Sequence, residues 1–261
     1  MPGTYVHQLP GKFTGPNAST LPSFSPPDPF NLGTWAAAYW ASDPAQAFPA
    51  TGQPMTNLRD GSGNGNALAP LGSLGLPKYL SSDASMNGRP ALSFDGTQVL
   101  YKALTAGVNW PWSWVAITRA TALPTSGYQL FAGETAANSG QGAGLTAPTG
   151  GNPNAGYVIN PNPALTGGTA DLNSHLIAAV AASGTSKIQV DGSTVASGSA
   201  GTTAVNQIAL GAGIIAGTPS LGNGWRGTIG FLGLYLGDVT AQPWWPSFKS
   251  WAAGYYGLSV S

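Results

Sequence analysis

From Trp35 onward, short runs of apolar and β-branched residues alternate with clusters of Gly, Asn and Pro. Runs with a two-residue period, bounded by turn formers, read as strands with one face in a core. The pattern predicts strands near 35–41, 91–94, 99–104, 114–119, 128–132 and 157–160. Others follow near 175–182, 187–190, 194–197, 208–211 and 228–236. The clearest local signal is Ile188-Gln189-Val190-Asp191-Gly192-Ser193-Thr194-Val195. Asp-Gly accepts the two positive φ values of a type I′ turn, so this stretch predicts a tight hairpin. Many strands in series, with no helical period between them, indicate an antiparallel sandwich or barrel rather than βαβ units.

One helical period closes the chain. Trp244, Phe248, Trp251 and Tyr255 recur at spacings of 4, 3 and 4, and Trp245, Ala252 and Tyr256 widen the stripe. Thr240 is the expected cap, Pro243 suits a first turn, and Gly257 ends the helix. The stripe is expected to pack on the sandwich. A helix lying on a membrane would want flanking Lys and Arg, and only Lys249 is present.

Residues 1–33 follow neither period. Pro2, Pro10, Pro16, Pro22, Pro26, Pro27 and Pro29 keep this segment extended, because each fixes φ and removes a donor. It reads either as a loose tail or as an arm ordered along a neighbouring subunit, with Tyr5, Phe13, Phe24 and Phe30 as anchors. The expected division is an extended arm over 1–33 and a sandwich over 34–261.

Composition narrows the function classes. The 38 glycines and 22 prolines would suit a disordered chain, but 42% hydrophobic residues and nine tryptophans belong to a folded one. Charged residues make up only 7%, against roughly 25% in an ordinary protein. Net charge is zero and no basic run exists, which argues against nucleic-acid binding. A nearly uncharged surface keeps a free monomer poorly soluble, so membership of a symmetric assembly is expected. Cysteine is absent, excluding disulfides, thiolate metal sites and a cysteine nucleophile. No basic stretch followed by an apolar one opens the chain, and the longest apolar run, 176–182, is too short to span a bilayer. Assembly in a cytoplasm without membrane insertion is the expectation.

Catalytic patterns are sparse. Glycoside hydrolysis needs two placed carboxylates. Glu134 is the only glutamate, and none of the eight aspartates lies within four residues of another acid. His7 and His175 cannot supply a three-histidine zinc site, so no metal residues are expected, and His175 reads as a structural residue. A calcium site built from Asp and Asn oxygens in a loop stays open; no other cofactor is expected. No Gly-x-Ser-x-Gly elbow occurs. Gly142 to Ala147, Gly211 to Ala216 and Gly222 to Gly227 each fit the dinucleotide fingerprint. None opens a helix in a βαβ unit, and all three read as turns.

Several segments, in order, resemble the concanavalin A-like, laminin-G-type jelly roll found often in phage virion proteins. They are Asp60-Gly61-Ser62-Gly63-Asn64-Gly65-Asn66, Gly88-Arg89-Pro90-Ala91-Leu92-Ser93-Phe94-Asp95-Gly96 and the strand from Trp114 to Arg119. His175-Leu176-Ile177-Ala178 through Val190-Asp191-Gly192 follows, with Ile208 to Gly211, Trp225-Arg226-Gly227-Thr228-Ile229, and Ser250 to Leu258. The resemblance covers about 35–261 and implies an all-β sandwich of two antiparallel sheets with a short C-terminal helix. Members bind sugars or proteins, and some hydrolyse glycans; the Glu-x-Asp-x-Glu strand of those hydrolases is missing here. The resemblance, the Gly-, Ala-, Pro- and Thr-rich composition and the arm together imply a non-enzymatic minor tail or tail-tip subunit. It would be held in the virion by its arm and would touch host-surface glycans.

An exposed aromatic plate with polar neighbours is the expected sugar site. Trp110-Pro111-Trp112 is the first candidate. Proline confines the residue before it to extended geometry, so Trp110 and Trp112 should point apart, one into the core and one to the rim. Glu134, Asn138 and Tyr157, in or beside the Gly-rich stretch 133–156, are secondary candidates. The alternatives are a purely structural spacer or decoration protein and, further off, a glycan depolymerase.

Overall fold

The computed structural model describes residues 28–133, 142–148, 153–160, 163–215 and 218–261. In chain order its strands are β1 (Trp35–Trp40), β2 (Lys78–Asp83), β3 (Arg89–Asp95), β4 (Leu100–Val108), β5 (Trp112–Ala120), β6 (Tyr128–Gly133), β7 (Gly142–Thr146) and β8 (Gly156–Asn160). They continue with β9 (Leu165–Gly167), β10 (Ser174–Ala181), β11 (Ser186–Val190), β12 (Ser193–Gly198), β13 (Val205–Leu210), β14 (Gly213–Ile215), β15 (Thr218–Ser220) and β16 (Arg226–Leu236). The helix α1 spans Trp245–Tyr256.

These strands form the expected sandwich. One sheet runs β12-β11-β10-β5-β16-β3-β2, with β1 also paired to β16; the facing sheet runs β4-β13-β6-β7-β8-β9. All ladders within them are antiparallel. The long β16 serves two partners on one edge, β3 along Arg226–Ile229 and β1 along Phe231–Tyr235.

The eight-stranded sheet is covered on both faces. Trp112, Trp114, Ile177, Leu232 and Leu234 point toward the second sheet, into a core shared with Phe131, Ile159 and Trp225. Val115, Ile117, Leu176 and Phe231 point the other way, onto Phe248, Trp251 and Tyr256 of α1. Two buried faces explain why β5 and β10 read as nearly continuous apolar runs. Glycines in β16 make the helix layer fit: a Cβ on Gly230 would lie 2.6 Å from the Tyr256 ring, and one on Gly233 2.6 Å from Trp35.

Each strand read from the hydrophobic pattern is present, and the Asp191-Gly192 turn has φ of 51° and 85°. The fingerprint matches need correction. Gly142–Thr146 is a fully buried strand, not a turn, and Gly213–Ile215 is also a strand. The third match passes from a 3-10 turn at Leu221–Asn223 into β16. A Cβ on Gly142 or Gly144 would come within 2.1 Å of a carbonyl oxygen on β6, so glycine here allows close strand approach. The stretch 133–156 is therefore not one long loop, since β7 crosses it.

The helix begins later than expected. Asp238, not Thr240, caps the chain at this point, accepting from Thr240 N at 2.9 Å to start a 3-10 turn over Val239–Ala241. Pro246, not Pro243, then occupies the first turn of α1, and Gly257 closes it at φ 70°. Trp251 and Phe248 are buried, while Trp244 and Tyr255 at the stripe's margins are half-buried. Residues 28–33 of the expected arm pack on the sandwich. Asp28 caps a 3-10 turn at Pro29–Leu32, Trp35 Nε1 donates to Pro29 O at 3.1 Å, and Phe30 meets Trp40 edge-on. The expected anchors Tyr5, Phe13 and Phe24 lie outside the described residues.

Candidate functional sites at the two ends of the main sheet

β5 defines two ends of the eight-stranded sheet. Trp112 at its start faces Ala181 on one neighbour and Leu236 on the other; Arg119 near its finish faces Ser174 and Thr228.

At the Trp112 end, the two tryptophans part as the proline argument requires. Trp112 is 0% exposed and its Nε1 donates to Thr203 O at 2.9 Å, so it is a core anchor and cannot serve as a sugar plate. Trp110 is 49% exposed, next to exposed Asn109. The strand entry between them is fixed: Gly237 N donates to Pro111 O at 2.8 Å, and Ser113 Oγ donates to Gly237 O at 2.6 Å. Leu236, opposite Trp112, is 59% exposed, so this rim offers an aromatic face and an aliphatic neighbour. The nearby Lys187–Asp238 pair, 2.8 Å apart, lowers the Asp238 pKa against the opposing effect of burial.

Tyr157 in β8 is buried, not exposed. It lines a void of about 10 Å³, too small for a sugar ring, and its ring meets that of His175 edge-on. Burial, then the charges of Asp171 and Asp191, push its hydroxyl pKa up. Glu134 and Asn138 lie outside the described residues.

The opposite end holds a constellation that strand patterning did not reveal. His175 opens β10 with its imidazole between two carboxylates: Nδ1 is 2.6 Å from Asp191 Oδ2 and Nε2 is 2.8 Å from Asp171 Oδ1. Both contacts are good hydrogen bonds only when both ring nitrogens carry protons. Burial would lower the His175 pKa, but the bonds and charges of Asp191 and Asp171 outweigh it and hold the pKa above the ordinary value. Asp171 is held low, because bonds from His175 and Asn173 outweigh the effect of burial. A sequence signal existed: the hairpin that predicts the Asp191-Gly192 turn also returns Asp191 to the start of β10.

Next to this clip lies a cleft of about 500 Å³, bounded by Ser85, Arg119, the Leu172–Ser174 segment, Asp191 and the chain after α1. Its walls are tied together. Arg119 Nε donates to Leu172 O at 2.8 Å, Ser174 Oγ donates to Ser85 O at 2.5 Å, and Ser261 N donates to Asp191 O at 2.9 Å.

The carboxylates elsewhere are also engaged. Asp28, Asp43, Asp60, Asp83, Asp95, Asp171 and Asp238 each accept the amide two residues ahead, and Asp191 accepts from Leu176 N. Such Asx turns hold tight bends. The Asp60–Asn66 loop is clipped to β1 in this way, with Asp60 bonding Ala38 N, Ser62 N and Asn66 N. Among the described residues no group of three or more His, Asp or Glu is placed to hold a metal ion, and no helix is long and apolar enough to cross a membrane.

No protein-family model and no curated protein matches the chain. Among solved structures, Trypanosoma rangeli sialidase is similar in fold, with a TM-score of 0.52 at 14% identity over 85% of this chain. The binding domain of botulinum neurotoxin DC, in complex with SialylT, gives 0.50 at 10% identity over 84%. The chain spans 33% of the sialidase and 52% of the toxin chain. These likenesses establish the sandwich fold and nothing finer.

Proposed function

We propose that this chain is a non-enzymatic, glycan-binding module of a phage virion, a tail or tail-tip subunit that touches sugars on the host surface through the Trp110 rim. The observation that carries the glycan reading is the contrast within Trp110-Pro111-Trp112. One ring is locked in the core, and the other, two residues earlier, stands half out of the surface beside a strand entry bonded to Gly237. An exposed indole stacks on the apolar C–H face of a sugar. Fold likeness alone supplies no ligand, so the reading rests on this ring. The non-enzymatic part is supported by the aspartates, each of which already accepts at least one backbone amide. The virion placement is supported by the resemblance, the low charge and the proline-rich segment before the domain. That segment would dock on other virion proteins.

The test is a glycan array and a host-cell binding assay with wild type and Trp110→Ala. Retained structure with lost binding is expected; equal binding by both proteins would move the site elsewhere. A second reading, a structural spacer, is favoured by one observation: Trp110 and Leu236 are both exposed at this end of the sheet, which also suits packing against another subunit.

A further inference from the structure

We infer that the cleft at the His175 end is a second binding site, for a neutral saccharide, sharing no residue with the Trp110 rim. Its volume of about 500 Å³ falls within the range of small-molecule sites. A saccharide presents hydroxyls that both donate and accept, and the cleft offers both kinds of partner. Arg119 is the principal donor. Its Nε is spent on Leu172 O, which fixes the plane of the guanidinium, and none of the ion pairs among the described residues includes it. A planar guanidinium with uncommitted N–H groups bonds two adjacent oxygens at once. Asp191 and Asn173 supply acceptors, and Leu172, 43% exposed at the mouth, supplies an apolar surface for a ring face.

Charge selects against ionic ligands. With His175 protonated, the clip of His175, Asp171 and Asp191 carries one net negative charge, and Arg119 balances it. An anion attracted to Arg119 would meet Asp191, and a cation drawn to Asp191 would meet Arg119, whereas a polyol meets donors and acceptors without an unbalanced charge. The walls are already held by the bonds of Ser174, Arg119 and Ser261 described above, so little ordering is left to oppose binding.

The experiment is a nitrogen-15 titration of the full chain with methyl glycosides of neutral hexoses, pentoses and N-acetylhexosamines, each to about 10 mM, the range for a weak single-sugar site. At least one glycoside is expected to shift the Arg119 Nε signal together with the amides of Leu258 and Ser259. Arg119→Met should weaken that response at least about tenfold. Should Arg119→Met not fold, Ser259→Trp, on the exposed tail, fills the cleft without breaking a buried bond and should abolish the Arg119 response. Trp110→Ala should leave it unchanged, which separates this site from the rim. The inference is overturned by a panel that moves none of these signals, by binding that survives both cleft variants, or by loss of the response in Trp110→Ala.

Discussion

At the Trp112 end of the main sheet, the large exposed side chains, Trp110 and Leu236, are apolar, and the charged ones, Lys187 and Asp238, pair at the margin. At the Arg119 end, polar groups converge on a concave surface and almost every one is tied to another. The same strands pass through both ends, so the difference comes from the connections. The Gly237 turn simply closes the rim around Pro111. At the far end, the Asp191 turn, the loop before β10 and the tail after α1 meet around one histidine. The scaffold thus fixes where groups stand, and the loops decide what the groups are.

The sharpest way to break this comparison is to remove the ring that anchors the apolar end. Trp112→Ala should cost about 3–5 kcal/mol, as loss of a large core ring does, measured by denaturant unfolding. A loss below about 1 kcal/mol would mean that the strand entry is not held by that ring.

How much of this was legible in the sequence follows from what each signal depends on. The Asp191-Gly192 hairpin and the aromatic stripe of α1 are local, so reading them needs only turn chemistry and a helical period. β7 was misread because Gly142 and Gly144 look like turn residues, while their role is to let a strand come close to β6. β2 was missed for a different reason: Lys78–Asp83 carries one buried side chain, Tyr79, and so little alternation. The inward placement of Tyr157 and the His175 clip depend on pairings between distant segments. Even so, the recurrence of Asp two residues before Ser, Thr or Asn, as at Asp60, Asp83, Asp95, Asp171 and Asp238, was visible as a run of Asx turns.

The polar end is tested next. His175→Gln keeps the shape but cannot donate to both carboxylates, and should cost about 1.5–3 kcal/mol near pH 6, the usual worth of hydrogen bonds to charged groups. The pH profile gives the sign. The His175 pKa is raised on folding, so its contribution is complete below the unfolded value near 6.5 and is lost as pH rises through the higher folded value. Asp171 acts oppositely: its pKa is lowered, so its contribution holds above the unfolded value of 3.8 and fades as pH falls through the folded one. Unfolding midpoints measured from about pH 3 to about pH 10 should therefore show an alkaline decline in wild type that His175→Gln lacks. Identical alkaline limbs would remove the clip from the account.

The rim has an ion pair of similar length, which gives a smaller and instructive effect. Lys187 and Asp238 are 2.8 Å apart, but both are about a quarter exposed and the pair is single. Lys187→Ala should cost no more than about 1 kcal/mol, and less at high salt. A loss as large as that of His175→Gln would show that double bonding does not distinguish the two ends.

The smallest stability effect is expected where the functional effect is largest. Trp110 and Leu236 contribute little to the core, being 49% and 59% exposed, so Trp110→Ala with Leu236→Ser should stay within about 0.5 kcal/mol of wild type. The pair then separates the two readings of the rim. On the glycan reading, the double variant sediments like wild type but no longer binds host cells. On the spacer reading, wild type self-associates through this edge, helped by its zero net charge, and the double variant is the smaller species while cell binding, if wild type shows any, is unaltered. The chain's low charge makes both outcomes measurable at one concentration, because little repulsion opposes contact between copies. A double variant that sediments like wild type and still binds cells would leave this edge with neither role and transfer the search to the polar end.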